Sequence, residues 1–204
     1  MGEKPVHILS DSVPRAAVNS LPSHYIITLT CLKSKGYNQL VYQLGHELLH
    51  VFLSPFVIHP FAEIIACTMS LCCLSDMERS WSTGNDSLRR HAGKFGEYRN
   101  KVIDSAQARV NVEDGWAKSF ICGCHERNEQ LVAAFLLEPM VQNLSNWSAM
   151  RLAYHSFIDE YVDDEDWRIT VSATRWIEAC KESIHCSGSD VRIVSEIIDL
   201  FDLK

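Results

Sequence analysis

Residues 36–54, "GYNQLVYQLGHELLHVFLS", restrict the fold of this chain more than any other stretch. On a wheel at ~100° per residue, Leu40, Val41, Leu44, Leu48, Val51 and Phe52 fall in one stripe. Gln39, Gln43, His46, Glu47 and His50 fall on the opposite side. That period belongs to a helix with one buried face. Just upstream, "VHIL" (6–9) and "HYIITLTCL" (His24 to Leu32) are β-branched and aromatic runs, the second bounded by Pro22 and Gly36. They predict two strands.

From Gly36 onward the periodicity is helical. It predicts helices near 37–54, 60–75, 86–109, 126–143, 146–160, 166–183 and 189–202. Pro60 suits a first helical turn, Asn146 or Ser145 can cap the fifth helix and Ser189 the last. "SDMERSWSTGNDS" (Ser75 to Ser87) is the longest loop expected. The fold expected is therefore α+β and mainly helical: a small N-terminal sheet packed on the helix of 37–54, followed by a helical bundle. The expected division is a metal-binding half, 1–85, and a helical half, 86–204, continuous as one compact unit. Trp147, Trp167 and Trp176 are expected to fill the core of the second half.

Composition narrows the function classes. A length of 204 residues with 47% hydrophobic and 22% charged residues is globular and long enough to bury a core without staples. A metal would then serve chemistry rather than folding. The net charge of -7 argues against a nucleic-acid or anionic-membrane surface. The acidic run "DEYVDDED" (Asp159 to Asp166) reads as a solvated loop. The N-terminal segment lacks the apolar core of a signal peptide, and the apolar stretches are too short to span a bilayer. A cytoplasmic location with eight reduced cysteines is expected. "CGCH" (Cys122, Cys124, His125) and "CKESIHC" (Cys180, His185, Cys186) lack the paired C-x-x-C spacing of structural zinc sites. "GKFGEYR" (Gly93 to Arg99) lacks the Lys-Ser/Thr ending of a phosphate loop, which removes nucleotide binding.

His46 and His50 stand one helical turn apart, so two imidazoles can close on one ion. Glu47 projects beside them, suited to hold a water on that ion and take its proton. H-E-x-x-H arises by chance in about 3% of chains of this length and composition, so the match alone is suggestive. Zinc with an open fourth position needs a third protein ligand. In "PFAEIIACTMSL" Glu63 is the one charged residue of an apolar segment, where a carboxylate is costly unless it finds a cation. Its face carries Ala66, Cys67 and Ser70, small enough for two helices to approach closely. A reversal at "SPFVIHP" would carry Glu63 back over the histidines. The competing reading leaves Glu63 exposed in a first helical turn, favourable to the dipole. His59 is the fallback third ligand, with His91 behind it.

"HELLH" followed by a Glu on the next helix resembles the zincin metallopeptidases of the gluzincin type. "YQLGHELLHVF" with "FAEIIACTMSL" also resembles bacterial zincin-like proteins of uncertain function, in which an E-x-x-x-C/S-like helix follows the motif. The resemblance covers roughly residues 24–81. It implies His46, His50 and Glu63 as zinc ligands and Glu47 as general base. The metzincin continuation requires Gly and His where this chain has Leu53 and Phe56, which excludes that branch. Thermolysin-like enzymes place Asp four residues after the ligand Glu; here that residue is Cys67, which leaves the outer partner of His46 or His50 unassigned. In zincins the strand before the motif, here "HYIITLTCL", offers an edge to an extended peptide.

The function expected is a zinc-dependent hydrolase, most simply a metallopeptidase acting on a peptide or protein substrate. The alternative is a regulatory or partner-binding protein that keeps the metal site without efficient turnover. Tyr98, His91, Tyr154 and His155 are candidates for oxyanion stabilisation. Each more often packs or faces solvent.

Overall fold

The computed structural model describes residues 4–10, 17–20, 23–30, 36–53 and 60–107, with Ala133, Ala134, Val141 and Trp147. Three strands, β1 (Val6–Ser10), β2 (Ala17–Ser20) and β3 (Tyr25–Leu29), precede three helices, α1 (Tyr37–Leu53), α2 (Pro60–Ser82) and α3 (Asp86–Gln107). The described residues are thus mainly helical with a small sheet, an α+β chain. The helices expected from 166 on lie outside the described residues. Ala133, Ala134, Val141 and Trp147 are helical, as the pattern at 126–143 and 146–160 predicts for them.

The strand order is β1-β3-β2. β1 runs parallel to β3 with Ile8 opposite Ile27, and β2 runs antiparallel to it with Val18 opposite Ile27. β3 is therefore the middle strand, bonded on both sides. This corrects the expectation that it presents an edge to a peptide: the edges among the described strands are β1 and β2. β2 itself is an addition, since "AVNS" is too short and too weakly β-branched to stand out. β1 is exposed along its length, including Val6, Ile8 and Leu9.

Alternation turns Ile27 and Leu29 to one face of β3, where both are fully buried. Leu40, Leu44, Leu48 and Val51 of α1 pack against them, as the stripe predicts. Gln43 adds a clasp: its side-chain amide donates to Thr30 Oγ1 at 2.8 Å, and its Oε1 accepts from the Thr30 N–H at 3.2 Å. Phe52 departs from the stripe and is 76% exposed. It stands about 100° round the helix from Val51, beyond the reach of the sheet.

The opposite side of α1 is not a solvated polar face, which is a second correction. Gly45, Leu49 and Leu53 are buried there, and Glu47 is buried at the border of the stripe. Gly45 faces α2 so closely that a Cβ built on it would meet Cys73 Sγ at 3.2 Å and the Ser70 Cα at 3.4 Å. The small residues of α2 permit that approach, as expected.

α2 is longer than the pattern predicts. The stretch expected to be a loop from Ser75 is helical to Ser82. Ser75 and Ser82 donate back to the carbonyls of Leu71 and Glu78, and Arg79 pairs with Asp76 at 2.7 Å, so the polar residues that resemble a loop support a surface helix instead. Its break comes at Thr83–Asn85, where Asn85 Oδ1 accepts from the N–H groups of Ser87 and Leu88 at 3.1 Å and caps α3. α3 meets α2 through Phe95 edge-on to Trp81 and an Arg99–Glu78 ion pair of 3.0 Å. Gly96 allows this contact, because a Cβ there would collide with the Glu78 carboxylate. Gly93 to Arg99 is plain helix, in keeping with the absence of a phosphate loop.

The chain groups into two compact units: Met1–Phe56 with Ala66–Ser105, and Val57–Ile65 with Ala106–Lys204. α3, placed by sequence in the second half, belongs to the first unit up to Ser105. In the second unit the described residues include the buried Ala62, Ile64, Ile65 and Ala133. No helix among the described residues is long and apolar enough to cross a membrane.

Candidate metal centre

α1 places Tyr42, His46 and His50 at successive i, i+4 positions, one face of the helix. The two histidines are half-buried, and His46 Nε2 lies 3.2 Å from His50 Nε2. Their rings meet at 4.9 Å with a 65° tilt, so the nitrogens converge rather than the ring faces. Two zinc–nitrogen bonds of ~2.0–2.1 Å opened at the tetrahedral angle would put the nitrogens ~3.3–3.4 Å apart. The pair thus has the right bite for one ion. The same separation suits a direct N–H···N bond, so a third donor decides what the pair is good for.

Glu63 can be that donor. One nitrogen from each histidine and one oxygen of Glu63 lie within 4.8 Å of one another, a group that could hold a metal ion. The set is two imidazoles and one carboxylate, which suits a borderline divalent ion. Glu63 is in the first turn of α2 and half-buried, not fully solvated. Past it the helix is buried at nearly every position from Ile64 to Leu74. α2 is a core helix with one early carboxylate.

Glu47 is outside the ligand group and only 6% exposed. On the helical wheel it lies about 20° from Leu40, at the border of the sheet-facing stripe, which accounts for its burial. His59 lies outside the described residues, as do Tyr154, His155, Trp167, Trp176 and the cysteine groupings at 122–125 and 180–186. His91 is exposed on α3 and lines a cavity of about 340 Å³ with Tyr37, Asn38, Trp81, Lys94 and Phe95, none of them a member of the ligand group. Tyr98 packs its ring edge-on against Tyr42 at 5.9 Å.

Sequence reasoning passed over Tyr42 and assigned Cys67 no partner. Cys67 Sγ lies 3.9 Å from His46 Nδ1 and 3.7 Å from the Tyr42 hydroxyl, which donates to it. The i, i+4 relation of Tyr42 to His46 and of Cys67 to Glu63 was the available signal. Cys72, on the same helix, belongs to the core and Cys73 beside it is half-buried: burial pushes the Cys72 thiol up to about 12, with Cys73 and Asp76 adding to the effect, and burial raises Cys73 as well.

No family model, no curated protein and no solved structure matches the chain. The reading of the site rests on its own geometry.

Proposed function

We propose that the chain is a zinc-dependent hydrolase, most simply a metallopeptidase, with His46, His50 and Glu63 as ligands and Glu47 as general base. The observation that carries this reading is the convergence of the three ligand atoms within 4.8 Å on two different helices. It is supported by the H-E-x-x-H spacing and by the resemblance of this segment to gluzincins. Zinc held there would polarise a substrate carbonyl and acidify a bound water. The residues supply the rest. Two imidazoles one turn apart fix the ion against α1, and the carboxylate of Glu63 lowers its net charge. Glu47, adjacent to His46 and largely shielded from solvent, accepts the proton of the attacking water.

The experiment is metal analysis of freshly purified protein, followed by casein or peptide-library cleavage with and without a chelator. One zinc equivalent and chelator-sensitive cleavage are expected. Glu47→Gln should keep the metal and lose cleavage, because the amide retains the shape and cannot take the proton. Glu63→Ala should lose zinc on dialysis against a mild chelator with unchanged circular dichroism, since two ligands hold zinc far more weakly. Wild-type turnover by Glu47→Gln would remove its assignment as base. A full zinc equivalent without any turnover would favour the regulatory or partner-binding alternative.

A further inference from the structure

Cys67 is one turn along α2 from Glu63 and 5% exposed. Buried cysteines usually serve as small apolar fillers. This one has two polar rings at its sulfur. His46 turns Nε2 toward His50, which leaves Nδ1 on the far side of the ring, 3.9 Å from Cys67 Sγ. Tyr42, one turn before His46, donates its hydroxyl to the same sulfur at 3.7 Å. The Tyr42 ring is braced edge-on by Tyr98, at 5.9 Å and 77°.

A histidine that binds an ion through Nε2 carries its proton on Nδ1, and the partner of that N–H sets the tautomer and the ring plane. We infer that Cys67 is the positioning residue of His46, its sulfur held by Tyr42 and accepting the Nδ1–H bond so that Nε2 faces the ion. The inference rests on the metal centre proposed above. A thiol sulfur is a weak, uncharged acceptor. It orients the ring while passing little negative charge to it, so this centre holds its ion less tightly than one backed by a carboxylate. The difference is a chemical property of the chain and is testable without any substrate.

The test is a competition titration of the full chain against a chromophoric zinc chelator. Wild type is compared with Cys67→Ala, Cys67→Asp, Tyr42→Phe and His46→Ala, with circular dichroism recorded for each. Cys67→Ala should weaken zinc binding roughly 10- to 100-fold, the usual effect of removing an outer partner. Cys67→Asp should bind at least as tightly as wild type, because a carboxylate accepts the Nδ1–H more strongly; a purely space-filling role would not be rescued by a charge. Tyr42→Phe should lose a few-fold. Cobalt-loaded wild type should show no sulfur-to-metal charge-transfer band, since Cys67 stands behind the ligand and not on the ion.

Equal zinc affinity of wild type and Cys67→Ala, with wild type well above His46→Ala, overturns the role of Cys67 and leaves the metal centre standing. A charge-transfer band that vanishes in Cys67→Ala overturns it too, by making the sulfur a ligand. Wild type that binds no better than His46→Ala overturns the metal centre and this inference with it. Should Cys67→Ala lose helix content, Tyr42→Phe decides: it leaves the sulfur in place, and an unchanged affinity there overturns the proposal.

Discussion

The two covered faces of α1 are made of different material. Toward the sheet it presents Leu40, Leu44, Leu48 and Val51, which interlock with Ile27 and Leu29. Toward α2 it presents Gly45 against Ser70 and Cys73, and Tyr42 and His46 against Cys67. The first face gains from area: a fully buried large aliphatic side chain such as Ile27 or Leu29 contributes about 1.5–3 kcal/mol, and the partly buried residues of the stripe contribute less. The second gains little from area at Gly45 and Ser70, which have little to bury, although Leu49 and Leu53 on the side away from the stripe are buried as well. What it provides is closeness, which brings polar atoms of two helices within reach of one another. One face packs on the sheet and the other carries the histidines of the candidate metal group, on a single helix of 17 residues.

If that division is real, substitutions on the two sides will fail in different ways. The largest stability effect is expected on the sheet side. Leu29→Ala leaves a cavity under α1 at a fully buried position and should cost about 2–5 kcal/mol in urea unfolding. The protein that remains folded should still bind zinc at wild-type affinity. Gly45→Val should cost less, about 1–3 kcal/mol, because the added atoms wedge α1 from Ser70 and Cys73. Its zinc affinity should nevertheless fall further than that of Leu29→Ala. The comparison collapses if Leu29→Ala loses the metal and Gly45→Val keeps it.

The smallest effect sharpens the contrast between the cysteines of α2. The Cys72 thiol has its pKa raised by burial to about 12 from 9.0, so the folded chain holds a proton that the unfolded chain releases. The stability this represents is intact below about pH 9 and is lost as pH rises toward 12. Urea midpoints should be level from pH 7 to 8.5 and then decline, by ~1 kcal/mol of stability at pH 10. Cys72→Ala should shed that part of the decline, while tyrosine and lysine titration persists in both proteins. Equal alkaline slopes would show that Cys72 is not the sealed core thiol its burial implies.

Much of this was legible in the residues, for definable reasons. The period of 37–53 shows α1 and its sheet-facing stripe, and the β-branched runs show β1 and β3. Glu63 is conspicuous as a charge in an apolar helix. The rest fails where a tertiary contact changes the meaning of a local pattern. Ser75, Asp76 and Arg79 resemble a loop until their hydroxyl-to-carbonyl bond and i, i+3 pair are seen holding a helix. Glu47 looks like part of a polar face, because the wheel shows direction and does not show how far cover extends past the border of the sheet-facing stripe. Cys67 looks like a departure from an enzyme pattern until α2 lies across α1 and its sulfur meets His46. Such contacts join positions 21 residues apart, and no periodicity reaches that far.

The Gln43–Thr30 clasp also fixes the rotational phase of α1. A leucine stripe is greasy and tolerant: rolling α1 by a few tens of degrees about its axis would cost its packing little at first. Two directional hydrogen bonds between one amide and one residue at the end of β3 do not tolerate such rolling. They set the angular zero of the helix. His46 follows Gln43 by three residues and His50 by seven, so both imidazoles inherit that zero at fixed offsets. The aim of the two histidines is thus set by a side chain on their own side of the helix that reaches back to the end of β3, as a key is cut against its shoulder.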